Sequence, residues 1–287
     1  MNGVGIVDKI WIGHATNQTI RLNSSSGGIV TGSLVALLES GFIDGAVVNV
    51  ADPTFVPNGK SIFAKTMDEL MQSSKSIYCM TEISRGLNVA RYDDDIKRIA
   101  VVGLPCQISK LRRMLDEDDV MQRKVVICFG IMCGHNMQSV ATVKALEESG
   151  INVVDVKKVT YRAHGWYPFN YTVEMNNGII KDFAWAGSPL QKMWDSLKYM
   201  PPICKRCSDF AAESADIACC DAWLDRYRGT QEGYSIVLTH TKLGTDVIED
   251  LINKGALKLG PGAADDLYRS NYLQIDRKLA IKEMHNE

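Results

Sequence analysis

The sequence predicts a mixed α/β (α+β) fold: a central, mostly parallel sheet with helices, plus an antiparallel hairpin region and a cysteine-rich loop. Three observations carry that prediction. Apolar, β-branched runs alternate with helical repeats over residues 1–150, the order in which strand–helix–strand units build a parallel sheet. The character changes between Val154 and Trp185, where Asn176-Asn177-Gly178 supplies a hairpin turn. Residues 201–223, PPICKRCSDFAAESADIACCDAW, then hold four of the chain's eight cysteines.

Each element follows from its local pattern. Residues 4–16 alternate enough for a strand, and the turn residues NSSSGG come next. GIVTGSLVALLESG (28–41) is a largely buried helix stopped by Gly41, a residue free to adopt the left-handed conformation of a helix end. FIDGAVVNVA (42–51) and SIFAKT (61–66) are strands, followed by a short helix at MDELMQS and a helical stretch near 81–90. IKRIAVVGLPCQ is a strand running into a turn at Cys106, with ISKLRRML continuing as a helix. VVICFGIMCG (125–134) is a strand ending near Cys133, and VATVKALEES (140–149) an amphipathic helix. After the cysteine-rich stretch come strand YSIVLTH (234–240), helix GTDVIEDLINKG and a charged, helical C-terminus. The expected organisation is a first lobe over 1–150 and a second over 151–287, interleaved as one compact unit.

Composition narrows the function. The chain has 287 residues, 46% hydrophobic and 23% charged, with a net charge of −2. No global field favours nucleic acid or a membrane surface, and no block of like charge forms an interaction tail. MNGVGIVDKIWIGHATNQ lacks the basic n-region and continuous apolar core of a signal peptide. No apolar run reaches the length of a transmembrane helix. A cytoplasmic location is expected, where thiols stay reduced, so eight cysteines point to metal or redox chemistry.

CKRC (204–207) sets two thiolates about one turn apart, close enough to share a metal centre. A structural zinc ordinarily draws on a second such pair nearby, whereas Cys219 and Cys220 are adjacent and point to opposite faces of a strand. The best remaining ligands are Cys106 (VVGLPCQ) and Cys133 (FGIMCGH), at the ends of buried strands. Together with Cys204 and Cys207 they make the four-thiolate complement of one [4Fe–4S] cubane. A zinc site using Cys204, Cys207 and others stays open. Cys79 and Cys128 sit in apolar surroundings and read as small buried hydrophobes, as do Cys219 and Cys220.

These residues carry a resemblance. GGIVTG (27–32) followed by ALLESGFIDGAVV, then VGLPCQISKLRRM, FGIMCGH and CKRCSDFAAESADI…DAW, resembles the coenzyme F420 hydrogenase/dehydrogenase beta-subunit family, in the family's order over about residues 20–225. The resemblance implies FAD beside an iron–sulfur cluster, passing electrons between a hydride carrier, chiefly the deazaflavin coenzyme F420, and one-electron partners. It maps the cluster ligands onto Cys106, Cys133, Cys204 and Cys207 and the flavin's Ser-Gly-Gly motif onto Ser26, Gly27 and Gly28. Physics supports the second mapping: a glycine turn at a helix N-terminus exposes N–H groups and the positive dipole end, which suits a pyrophosphate. Thr31 adds a hydroxyl, and Lys75 and Tyr78 resemble a flavin-lining segment. Asp221 and Trp223 match an acidic-x-aromatic pair, while Asp209 and Asp216 are expected to cap turns around the cluster.

The sequence also departs from the family. Cys220 stands where a glycine is usual, no ferredoxin-like CxxCxxC precedes the Ser-Gly-Gly segment, and RAHGWYP (162–168) resembles members from organisms without the deazaflavin. No GxGxxG follows a strand, so no Rossmann dinucleotide site is expected. No acid–base triad or other catalytic side chain is expected, because hydride transfer belongs to the cofactor; His135 is the histidine expected nearest the cluster. Lys205, Arg206 and Arg226 are the places to look for contact with the deazaflavin's acidic tail. A ferredoxin or an iron–sulfur subunit is the expected electron partner. Two alternatives remain: a reductase of the same fold acting directly on an organic or sulfur substrate, and a non-redox, zinc-stabilised binding module.

Overall fold

The structure, a computed structural model, describes residues 4–284, so the outermost three residues of each expected lobe lie outside the described residues. The first half of the chain runs β1 (Lys9–Ala15), α1 (Gln18–Asn23), α2 (Ile29–Glu39), β2 (Gly45–Ala51), β3 (Gly59–Ala64), α3 (Met67–Gln72), α4 (Ser84–Tyr92), β4 (Ile99–Gly103), α5 (Pro105–Leu115), α6 (Asp119–Lys124), β5 (Val125–Ile131) and α7 (Ser139–Glu148). The second runs β6 (Val156–Ala163), β7 (Asn170–Met175), β8 (Ile180–Ala184), α8 (Pro189–Asp195), β9 (Ile217–Asp221), β10 (Ser235–Thr239), α9 (Lys242–Asn253), β11 (Leu257–Pro261) and α10 (Ala264–Met284).

Eight strands form one mixed sheet in the order β11-β1-β10-β9-β5-β4-β2-β3. Its core, β9-β5-β4-β2, is parallel, and the flanking pairs are antiparallel. Parallel strands are covered on both faces, which is why β2, β4 and β5 read as continuous apolar runs. Alternate side chains feed two cores. Val47, Val101 and Cys128 join Leu87, Ile108 and Leu111 on one side. Val48, Ala100 and Ile127 meet Leu34, Leu70 and Ile248 on the other. Each fully buried Leu or Ile contributes roughly 1.5–3 kcal/mol of transfer free energy. The main sheet draws strands from both halves of the chain, because β1 pairs with β10 and β11.

The second sheet, β6-β7-β8, is antiparallel with its β7–β8 turn at Asn176-Asn177-Gly178. It packs through Val159, Tyr161 and Val173 against Leu146 of α7 and Leu190 of α8. Helix α2 ends as its sequence requires, with Gly41 at φ +67° just past the Ser40 cap. Cys106 departs from its expected turn: Pro105 opens α5 and Cys106 lies inside its first turn. Pro favours the first helical position, and Gln107 Oε1 accepts from Leu104 N–H at 2.8 Å to close that end. Among the described residues, no helix is long and apolar enough to cross a membrane.

Candidate functional site

A cavity of about 610 Å³ opens where the carboxyl ends of β2, β4, β5 and β9 meet, lined there by Asn49, Gly103, Ile131 and Asp221. Ligands bind at this edge of open α/β sheets because the loops diverge there. The volume is within the usual range of small-molecule sites, about 300–1,000 Å³.

One end of the cavity is the start of α2. Gly28 is the N-cap at φ +76° and offers no side chain to the helix. The first bond within the helix runs from Gly32 N–H to Gly28 C=O at 2.8 Å. The N–H groups of Ile29, Val30 and Thr31 therefore lack helical partners, and all three residues line the cavity. Gly27 lies deeper, where a Cβ would stand 2.6 Å from Gly13 O and 2.9 Å from Ser235 N. Ser26 also lines the cavity, although its hydroxyl lies 2.8 Å from Tyr234 O and 2.9 Å from Ser235 Oγ. A second serine-rich loop is laced to the first: Ser25 Oγ accepts from Ser76 N–H at 2.8 Å. Between Ser74 and Ser76, Lys75 faces the cavity, where burial and then the Arg162 charge push its ammonium down to about 8.

Arg162 of β6 joins the two sheets across the site. Its side chain is 3% exposed and pairs with Asp221 at 3.1 Å. It also donates to Ser25 C=O and lies over Phe169 and Trp223, at 4.3 and 5.1 Å from the ring centroids. Asp221 additionally accepts from Trp166 Nε1 at 2.8 Å. Burial works against the Arg162 charge, but Asp221 and Tyr78 more than compensate and raise it. Arg162 Nε and Asn49 Oδ1 are both buried without a protein partner, one donor and one acceptor at the cavity wall.

An aromatic wall leads to the thiol end. Tyr78 packs on Trp194 at 4.6 Å, and Trp194 on His135 at 4.0 Å. Burial and the neighbouring Arg277 hold His135 down to about 4. Cys133 follows β5, lines the cavity, and is pushed up to about 12 by burial. Cys204, Cys106 and Cys207 all act electrostatically on Cys133, which places the four thiols in one neighbourhood. Among the described residues no three His, Cys, Asp or Glu side chains converge on a single-ion site. A cluster presenting a separate iron to each thiolate requires no such convergence.

The structure thus gathers Ser26, Gly28, Thr31, Lys75, Tyr78 and Cys133 around one cavity, with Gly27 supporting its floor. Cys106, Cys204 and Cys207 are half-buried, do not line the cavity and act electrostatically on Cys133. Cys79 is buried and bonded to Tyr161 OH at 2.9 Å, and Cys128 is buried in the sheet. Asp216 does not cap a turn beside the thiols. Its carboxylate instead accepts from Arg112 Nη2, Cys128 N–H and Thr241 Oγ1 at 2.8–2.9 Å, tying α5, β5 and the start of α9 together. Arg226 is paired with Asp266 at 2.8 Å, while Lys205 and Arg206 are exposed. The sequence reading missed Arg162, Asn49 and Lys278; the one available signal was Arg162 in RAHGWYP, already singled out as a motif.

The coenzyme F420 hydrogenase/dehydrogenase beta-subunit family matches in two parts, its N-terminal part over residues 10–88 and its C-terminal part over residues 96–265. An uncharacterized protein of Methanocaldococcus jannaschii is 26% identical over 239 residues, 81% of this chain and 61% of that protein. The coenzyme F420-dependent sulfite reductase of the same organism is 25% identical over 271 residues, 89% of this chain but 38% of that protein. The coenzyme F420 hydrogenase subunit beta of Methanothermobacter thermautotrophicus is 24% identical over 266 residues, covering 90% and 86% of the two chains. The chain therefore spans less than two thirds of the length of the first two of these relatives. A chain of the F420-reducing [NiFe] hydrogenase complex from Methanosarcina barkeri shares the fold, with a TM-score of 0.73 at 22% identity over 99% of this chain and 94% of that one.

Proposed function

The chain belongs to the coenzyme F420 hydrogenase/dehydrogenase beta-subunit family, and from that premise we propose that it is a flavin- and iron–sulfur-dependent oxidoreductase subunit. It moves electrons between a hydride carrier, coenzyme F420 or a comparable one, and a one-electron partner such as a ferredoxin or an iron–sulfur subunit. The observation that carries this reading is the position of Cys133, which lines the cavity bounded by Gly28, Thr31, Lys75 and Tyr78 and also neighbours the other three thiols. Bound there, FAD supplies exchange between hydride and single electrons, and a [4Fe–4S] cluster supplies one-electron transfer.

The residues fit both groups. The free N–H groups of Ile29, Val30 and Thr31, the dipole of α2 and the Lys75 amine suit a pyrophosphate. Gly27 and Gly28 let the backbone approach it without a Cβ between them. The unpartnered Asn49 Oδ1 and Arg162 Nε suit the mixed donor and acceptor edge of a flavin ring. Cys106, Cys133, Cys204 and Cys207 would hold the cluster, and the buried Lys278 ammonium beside them matches its negative charge. No side chain of this chain is assigned to proton transfer. Its residues bind, orient and exclude water.

The test is anaerobic purification followed by an absorbance spectrum and counts of flavin, iron and zinc. Flavin bands with about four irons per chain are expected. Replacing Cys106, Cys133, Cys204 or Cys207 with Ser should remove the iron, whereas Cys79→Ser should keep it. A colourless chain holding zinc and no flavin would refute the proposal in favour of a binding module.

A further inference from the structure

The family match ends at residue 265, the second residue of α10. The helix then kinks at Asn271 and continues along the site. Residues three and four apart share a helix face, and here that face carries Gln274, Arg277 and Lys278. Gln274 packs on Gly134, where an added Cβ would come within 2.4 Å of its Cγ. Arg277 Nη1 lies 3.1 Å from His135 Nδ1. Lys278 is 2% exposed, and its Nζ donates to Cys207 C=O at 2.9 Å.

A buried ammonium is costly without an anion nearby, yet among the described residues no carboxylate forms an ion pair with Lys278. Within its electrostatic reach are the Cys106, Cys133 and Cys204 thiols and the Asp209 carboxylate. The hydrogen bond to Cys207 C=O holds the ammonium against the end of the CxxC loop.

On the reading of these thiols as the holders of a [4Fe–4S] cluster, we propose that Lys278 sets the reduction potential of that cluster. Reduction adds one negative charge to the site. A cation fixed nearby, where little water screens it, stabilises the reduced form more than the oxidised one and raises the potential. Lys278 is thus a tuning residue supplied by a helix outside the matched family region.

The experiment is an EPR-monitored redox titration of the anaerobically purified full chain, with iron counted in every sample. Lys278→Gln keeps a donor for the Cys207 carbonyl but drops the charge. Its cluster should become at least tenfold harder to reduce, a fall of about 59 mV for a one-electron couple. Lys278→Met should fall likewise, and Lys278→Arg should stay within that margin of the wild type. Iron-loaded Gln and Met variants at the wild-type potential would overturn the inference, as would an Arg variant displaced as far as Gln. Iron loss from both neutral variants would overturn it in favour of a purely structural role. A wild-type chain without a four-iron cluster would instead sink the reading of the site itself, which keeps the two failures distinct.

Discussion

Asp221→Asn should destabilise the chain more than Arg162→Met, although both break the same ion pair. Removing one partner of a buried pair typically costs about 3–5 kcal/mol, mostly through the charge left behind. The two residues leave very different remnants. The Arg162 side chain is 3% exposed and that of Asp221 is 21%. In Asp221→Asn the stranded charge is a guanidinium sealed from water, relieved by Ser25 C=O and the faces of Phe169 and Trp223. A cation over desolvated rings is worth up to roughly 2 kcal/mol, but those contacts exist with or without Asp221 and offset nothing new, so a cost of about 4 kcal/mol is expected. In Arg162→Met the stranded carboxylate keeps Trp166 Nε1–H at 2.8 Å and access to water. Its cost should be nearer 3 kcal/mol. The double variant Arg162→Met/Asp221→Leu removes both charges and should cost at least about 2 kcal/mol less than the sum. Guanidinium unfolding followed by tryptophan fluorescence measures all three. Single costs below about 1 kcal/mol, or additive ones, would refute the view of Arg162 as a buried clamp between the two sheets.

The cradle at α2 gives a second expectation. At Gly28 an alanine meets atoms at 3.2–3.3 Å and a φ of +76°, a strain of about 1–2 kcal/mol. At Gly27 the clash is with backbone at 2.6 Å, which cannot rotate away. Gly27→Ala should therefore lose more bound flavin than Gly28→Ala when flavin per chain is counted; the reverse order would be wrong for this geometry. Lys75 sets a pH dependence. Its proton leaves the folded chain near 8 but stays on the unfolded chain to about 10.4. Between those values the unfolded state binds more protons, so stability of the ligand-free chain rises with pH there. On the proposed FAD reading, affinity should run oppositely, weakening as pH rises through about 8, and Lys75→Met should flatten both profiles in melting and titration experiments.

Local chemistry was legible in the sequence. Helix α2, its Gly41 stop and the hairpin turn at Asn177-Gly178 are properties of a few consecutive residues whose backbone preferences are intrinsic. The candidate cysteines were proposed from the same kind of local signal: CxxC spacing and a thiol at a strand end restrict which side chains can meet. Two of the short helices were not. Helices α1 and α6 have six residues each, too few for a periodic pattern, and form because the surrounding fold holds them.

Only the tertiary structure decided what meets across the chain. It brought β1 between β10 and β11, Arg162 against Asp221 59 positions away, and Lys278 against Cys207 71 positions away. A charged residue looks the same in a sequence whether water surrounds it or not. Its effect on a neighbour depends on burial and distance, which the packing of remote elements sets. The sequence by itself marked the thiols and the glycine loop that could serve a redox site; the packed sheet edge decided that Cys133 and the glycine loop share one cavity and that a lysine from the last helix stands beside Cys207.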